Sequence, residues 1–236
     1  MMKTVRISEH IWSLRTWLVF PLTVWLVKEE DGVTLVDAGM PPMARGISAA
    51  IESIGAGPLK RIVLTHGHSD HVGAISRLLK DWPGVPVYAH RLEIPHTEGR
   101  LPYPGRRKPV AYLPQGLAQP LPENAEGGLE RIGGLQPYWT PGHAPGHVVY
   151  CHEQDRVMLA GDLFNAKKGK LRFPMFTFDK PQALQSSLIV RTLAPEHLEV
   201  CHGGAVRRPA EQLDEYWRVH ARYVGAEAGD LSKKLM

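Results

Sequence analysis

Along the first forty residues apolar positions alternate with polar ones or run in short blocks, which is the pattern of a sheet. Trp12-Ser13-Leu14-Arg15 alternates with period two, Leu18–Phe20 and Leu22–Val27 are rich in β-forming residues, and Asp31-Gly32 marks a hairpin turn before a strand at Val33–Val36. Pro41-Pro42 opens a helix expected to run through Ile54, where Gly55 and Gly57 stop it. Arg61–Thr65 is too short an apolar run for a helix and reads as a buried strand. A helix over Val72–Lys80 and a strand over Val85–Ala89 follow. Strands at Leu135–Thr140, Val148–His152, Arg156–Ala160 and His197–Cys201 are then interleaved with helices at Pro181–Leu193 and Pro209–Tyr223. No linker or compositional break interrupts the alternation, so one α/β domain over residues 1–236 is expected.

Residues 91–130 differ. Pro95, Pro102, Pro104, Pro109, Pro114, Pro120 and Pro122 disfavour regular structure over most of this stretch. Long irregular segments in compact domains are commonly functional. The segment reads either as an insertion walling a pocket, with Tyr103 and Tyr112 as lining, or as a surface excursion.

Composition narrows the chemistry. Twenty-eight Lys and Arg against 24 Asp and Glu leave a net charge of +4, and the densest basic cluster is only Arg106-Arg107-Lys108, so a nucleic-acid partner is not expected. The longest apolar stretch, Trp17–Val27, contains Pro21 and is about half the ~20 residues a membrane-spanning helix needs. Met1–Arg6 carries no apolar signal-peptide core, and the cytoplasm is the expected compartment. Cys151 and Cys201 are the only cysteines, which excludes a disulfide framework and a Cys-rich metal site. Histidine is abundant, with 12 residues.

Four potential ligands, His66, His68, Asp70 and His71, lie within six residues just after the buried strand. Residues two apart in extended backbone share a face roughly 6.6 Å apart. Imidazoles at His66 and His68 can therefore reach one ion at the ~2.0–2.1 Å zinc–nitrogen distance, while Asp70 and His71 aim at a second point nearby. His143, Asp162 and His202 each follow an apolar run, in Thr140-Pro141-Gly142-His143, Ala160-Gly161-Asp162 and Val200-Cys201-His202-Gly203. Ligands of α/β sheets gather at the carboxyl ends of strands, so these distant residues can share one cleft.

This pattern, His66-x-His68-x-Asp70-His71 followed by Gly-His143, Gly-Asp162 and His202-Gly, resembles the metallo-β-lactamase superfamily over nearly the whole chain, beginning at the Val36-Asp37-Ala38-Gly39 turn. The resemblance implies a four-layer αββα sandwich of two mixed β-sheets flanked by helices, with a metal cleft at one edge. It implies two divalent ions, one held by His66, His68 and His143, the other by Asp70, His71 and His202, with Asp162 bridging. Zn2+ is the leading expectation, and Fe or Mn suits the same ligand types. Asp37 resembles the family's aspartate that orients a ligand imidazole, and His147 matches no ligand position and is expected to be structural. A hydroxide bridging the two ions would attack a polarised carbonyl, with catalytic roles for Asp70, Asp162 and Asn165.

Asp162 stands where dizinc β-lactamases of this pattern carry Cys, which argues against antibiotic hydrolysis. Lactonases of the acyl-homoserine type and thioester hydrolases of the glyoxalase II kind share the full ligand set. The lactonases usually place Tyr three residues after the bridging Asp, where this chain has Asn165, whose amide can also donate to a carbonyl or leaving oxygen. For the thioester branch, Lys167, Lys168 and Lys170 are candidates to hold glutathione, and their other reading is a solvated loop. A mononuclear iron persulfide dioxygenase is the third reading. The expectation is a hydrolase of a small ester, foremost a lactone, with Phe164, Phe173, Phe176 and Phe178 as candidates for an acyl pocket. Its partner is a small-molecule substrate, with neither nucleic acid nor membrane, and a homodimer is left open.

Overall fold

The antiparallel start of the chain is realised, in a computed structural model describing residues 2–224, as β1 (Lys3–Arg6), β2 (Ile11–Trp17), β3 (Pro21–Lys28) and β4 (Val33–Val36). Three strands then add in parallel beyond β4: β5 (Leu59–Val63), β6 (Val87–Ala89) and β7 (Ala118–Pro120), giving a mixed seven-stranded sheet in sequential order. The second sheet contains β8 (Gln136–Trp139), β9 (Val148–His152) and β10 (Val157–Leu159). After a separate hairpin, β11 (Asn165–Lys167) and β12 (Lys170–Arg172), it is completed by β13 (His197–Glu199) and β14 (Val206–Arg207), in the order β14-β13-β10-β9-β8. Only β10 and β13 run parallel in it.

Side-chain alternation sets the layers. On β9, Val148 and Tyr150 join the core that also holds Leu14, Leu35 and Ile62 of the first sheet, whereas Val149 and Cys151 face a second core. That second core is closed by α5 (Lys180–Ser186), α6 (Ile189–Leu193) and α7 (Leu213–His220), through Leu184, Val190, Leu213 and Tyr216. The other face of the first sheet is covered by α1 (Ala44–Ile54), whose Ala44, Ile47, Ala50 and Ile51 form one buried stripe, and by α3 (Ile75–Asp81). The result is helix, sheet, sheet, helix, the αββα sandwich. Arg15 on β2 and Glu199 on β13 clamp the two sheets, the guanidinium donating to both carboxylate oxygens at 2.9 Å. Among the described residues no helix is long and apolar enough to cross a membrane.

Several local expectations are corrected. Leu18–Phe20 is the bent, exposed tip of the β2–β3 hairpin, because an apolar run alone does not say whether it is buried. The helix expected over Val72–Lys80 is broken at Gly73–Ala74 into α2 (Ser69–Val72) and α3. Pro181–Leu193 breaks at Ser187–Leu188, where the Ser187 hydroxyl donates to the Leu184 carbonyl and competes with the helical ladder. The proline-rich segment holds a short helix, α4 (Ile94–Thr97), and the edge strand β7.

Candidate metal centre

Strand ends assemble the site. Asp37 follows β4; His66 follows β5; His68 stands just before α2, which carries Asp70 and His71; His143 lies in the β8–β9 connection; Asp162 follows β10; and His202 follows β13. The seven expected ligands thus come from both sheets to one edge. His66 Nε2 and His143 Nε2 lie 2.9 and 3.1 Å from His68 Nδ1, close to the roughly 3.3 Å edge of a tetrahedron with ~2.0 Å metal–nitrogen bonds. Asp162 reaches towards both groups of ligands. Its Oδ2 is 3.5 Å from His143 Nε2 and 3.2 Å from His202 Nε2, and its Oδ1 is 3.7 Å from His71 Nε2. Asp70 Oδ2 is 3.3 Å from His202 Nε2 and 3.9 Å from His71 Nε2.

The outer nitrogens of these rings are held from behind. Asp37 Oδ2 pairs with His71 Nδ1 at 2.8 Å, and the same carboxylate accepts the Thr65 N–H at 2.8 Å and the Thr65 hydroxyl at 2.7 Å. Asp37 is fully buried at φ 58°, a left-handed backbone that Asp tolerates better than most residues. The Pro21 carbonyl accepts from His202 Nδ1 at 3.0 Å, so Nε2 faces the aspartates. The His147 ring packs 5.3 Å from that of His66, but both its nitrogens are engaged elsewhere. Its Nε2 accepts the Asp162 N–H at 3.1 Å and its Nδ1 pairs with the Thr140 hydroxyl, so it fixes the backbone of Asp162.

Electrostatics divides the site in two. Burial pushes His66, His68 and His147 below the ordinary histidine range and His143 down to about 4, leaving neutral imidazoles; in His147 the one lone pair is already taken by the Asp162 N–H. Burial would lower His71 as well, yet Cys201, Asp37 and Asp162 raise it well above that range, and Asp162 raises His202. Burial would raise Asp162, but His202 and His71 hold it well below the usual carboxylate range; Asp70 is lowered to about 2 against its own burial by His202 and His71. His71 Nε2 and Asp162 Oδ1 are both buried with no hydrogen-bond partner among the described residues. Each such orphan costs about 1–3 kcal/mol. A divalent cation that displaced the His71 and His202 protons would satisfy both, and five imidazoles with two carboxylates form a donor set suited to Zn2+, Fe or Mn, so the residues fit a metal site.

Cys201 was not expected here, yet its Sγ clusters within 4.8 Å of ligand atoms of His71, Asp162 and His202. Its adjacency to His202 is the only sequence signal. Asn165 opens β11, and its Oδ1 is buried without a partner among the described residues. Lys167, Lys168 and Lys170 are exposed on the β11–β12 hairpin, the solvated reading. Phe164 is corrected to core, edge-on to Tyr216, and Phe173 packs against Tyr216 and Tyr223; Phe176 and Phe178 are exposed. Tyr103 is buried against the His68 ring at 4.7 Å.

Another His/Asp group joins His10 of the β1–β2 turn to His152 and Asp155 at the β9–β10 turn, and its carboxylate and Nδ1 atoms are already engaged with one another. Asp155 Oδ2 accepts from the Ser8 hydroxyl and the His10 N–H, its Oδ1 pairs with His10 Nδ1 at 2.8 Å, and its own N–H donates to His152 Nδ1 at 3.3 Å. These bonds fasten the β1–β2 turn to the second sheet.

Two layers of sheet between helices, with histidines and aspartates converging at one edge, define a metal-binding protein of the αββα class. The sequence profile described as the metallo-beta-lactamase superfamily matches residues 17–202, and the chain belongs to that superfamily. The probable metallo-hydrolase YybB of Bacillus subtilis (strain 168) is 35% identical over 217 residues, 89% of this chain and 96% of that protein. The hydroxyacylglutathione hydrolase GloC of Haemophilus influenzae is 29% identical over 153 residues, 62% of this chain and 68% of GloC. Among solved structures, a metallo-beta-lactamase from Pontibacter korlensis superposes with a TM-score of 0.70 at 20% identity, covering 94% of this chain and 99% of its own. TTHA1623, solved in a di-iron-bound form, superposes with a TM-score of 0.60 at 28% identity, covering 83% and 94%.

Proposed function

We propose that this metallo-hydrolase is dinuclear and cleaves a small carboxylic ester, foremost a lactone carrying an apolar acyl group. The observation that carries the dinuclear reading is the position of Asp162, between His143 on one side and His71 and His202 on the other. His66, His68 and His143 would hold one ion, Asp70, His71 and His202 the other, with Asp162 shared. When bound, such ions supply a water acidified towards neutral pH and a Lewis acid for the substrate carbonyl. The protein's part is positional. Asp37 and the Pro21 carbonyl keep His71 Nε2 and His202 Nε2 turned into the cleft, and His147 fixes the Asp162 backbone.

Substrate preference is argued from the cleft's flanks. Trp17, Leu18, Val19 and Phe20 are exposed at the β2–β3 tip, where the Phe20 ring meets His202 at 5.1 Å. On the other side Met175, Phe176 and Phe178 are exposed on a segment whose Thr177 hydroxyl lies 3.4 Å from His143 Nδ1. Apolar surface on both flanks suits an acyl chain better than a phosphodiester. A second reading, thioester hydrolysis, is favoured by the likeness to GloC.

The test is elemental analysis of the purified protein combined with turnover of homoserine lactones of graded chain length, S-lactoylglutathione, a cephalosporin and a phosphodiester. Two metal ions per chain and lactone turnover that rises with acyl length are expected. Thioester preference would transfer the assignment to the second reading, and one iron per chain with oxygen consumption would overturn both.

A further inference from the structure

Glu93 is fully buried at the start of α4, in the proline-rich segment, and its two oxygens bind both loops that carry the three-histidine group. Oε1 accepts the Gly67 N–H at 2.9 Å, between His66 and His68, and Oε2 accepts the Gly146 N–H at 2.8 Å, three residues beyond His143. The Tyr103 hydroxyl donates to Oε1 at 2.6 Å and lies 2.9 Å from the Thr97 hydroxyl, while the Tyr103 ring packs on His68. A carboxylate has no donor of its own, so three donors on one buried carboxylate form a fully directed junction.

The glycines at the two loops are explained by the same junction. A Cβ on Gly67 would lie 1.5 Å from Thr97 Oγ1 and 2.6 Å from the Tyr103 hydroxyl, and one on Gly146 would lie 2.5 Å from the Glu93 backbone nitrogen. The two loops meet α4 too closely for any side chain.

We propose that Glu93 is a positioning residue that sets the separation of His68 from His143, the two ligands brought together from sequence-distant loops. The inference rests on the reading that His66, His68 and His143 hold a metal ion. Without Glu93 the loops lose their shared anchor, and the His68–His143 spacing is no longer held at the value a metal requires. Glutamine at 93 offers one acceptor oxygen and one NH2, so whichever way it turns, the NH2 meets a backbone N–H that it cannot accept.

The test uses the full chain loaded with Co2+ and titrated with a competing chelator, read by the cobalt visible absorption and by bound cobalt, with thermal unfolding measured in parallel. Glu98→Gln is the control, since Glu98 is also a buried carboxylate of this segment holding a backbone N–H, that of Gly116, but touches neither ligand loop. Glu93→Gln is expected to weaken cobalt binding about 10–100-fold and to alter its absorption. Glu98→Gln is expected to lower thermal stability and leave cobalt affinity within about twofold of wild type. Wild-type cobalt affinity and absorption in Glu93→Gln would overturn the proposal and make Glu93 a purely structural residue. If Glu93→Gln does not fold, Glu93→Asp decides: its shorter side chain cannot reach both Gly67 and Gly146, so a severalfold loss of cobalt affinity supports the proposal and an unchanged affinity refutes it. A wild-type chain that binds one cobalt ion would remove the dinuclear reading but leave the comparison between wild type and Glu93→Gln intact.

Discussion

Asp37→Asn isolates the orientation of one imidazole with almost no change in volume. The carboxylate takes three donors: the Thr65 N–H on Oδ1, and the Thr65 hydroxyl and His71 Nδ1 on Oδ2, all within 2.7–2.8 Å. An amide cannot replace it in either orientation. With NH2 at the Oδ1 position, two N–H groups oppose each other in a fully buried site. With NH2 at the Oδ2 position, His71 must move its proton to Nε2, which then points an N–H into the metal centre where a lone pair is needed. Loss of a charge-assisted hydrogen bond costs about 1.5–3 kcal/mol, or roughly 3–12 °C in Tm for a chain of this size. Metal affinity should fall about 10–100-fold, equivalent to about 1.4–2.8 kcal/mol. The assay is urea unfolding of the metal-free chain alongside chelator competition for Zn2+. An Asp37→Asn chain with wild-type Zn2+ affinity would refute the claim that Asp37 selects the His71 proton position.

Other substitutions test separate parts of the structure. Among the described residues Arg15→Met leaves the buried Glu199 carboxylate with the Trp25 indole and His197 as side-chain partners, and a loss of about 1.5–3 kcal/mol is expected by urea denaturation; less than about 0.5 kcal/mol would show that the clamp is dispensable. His147→Ala should keep the metal content of the wild-type chain in elemental analysis, and a lower content would place that ring among the ligands. Asp155 is lowered from 3.8: burial opposes the shift, but hydrogen bonds from Ser8 and His10 outweigh it. A carboxyl with a depressed folded-state pKa contributes stability that is fully present above its unfolded value and is lost as pH falls through the folded one. The stability gap between wild type and Asp155→Asn, followed by thermal unfolding across pH, should therefore be constant above about pH 5 and close below about pH 4. A gap that widened on acidification would refute the assignment.

The convergence of these histidines and aspartates was legible because it is written in short local patterns: His66-x-His68-x-Asp70-His71 directly after an apolar strand, and single polar residues after three others. The alternation of strands and helices pointed to one α/β domain, and the resemblance to the superfamily implied the sandwich. What escaped sequence reading depends on contacts between segments with no periodic signature. Glu93 is one acidic residue in a proline-rich stretch, and only the approach of two distant loops gives it a role. Leu18–Phe20 and Trp17 have the apolar character of a strand, yet the chain turns there and leaves them facing outward. Phe164 and Phe176 are chemically identical, but one is sealed under α7 and the other is exposed. Strand β1 carries a single apolar residue, Val5, too little for alternation to reveal an edge strand.

Because the converging side chains arrive from positions as far apart as 37 and 202, on two sheets whose parallel pairings need long crossovers, nothing short of a nearly finished fold can present a complete chelate. Ion capture then belongs to the end of folding, and the binding energy is gained only by chains that have closed both halves. During synthesis the histidine-rich segment near residue 70 is exposed long before its partners exist, so early on it offers a stray ion only a partial and weak grip.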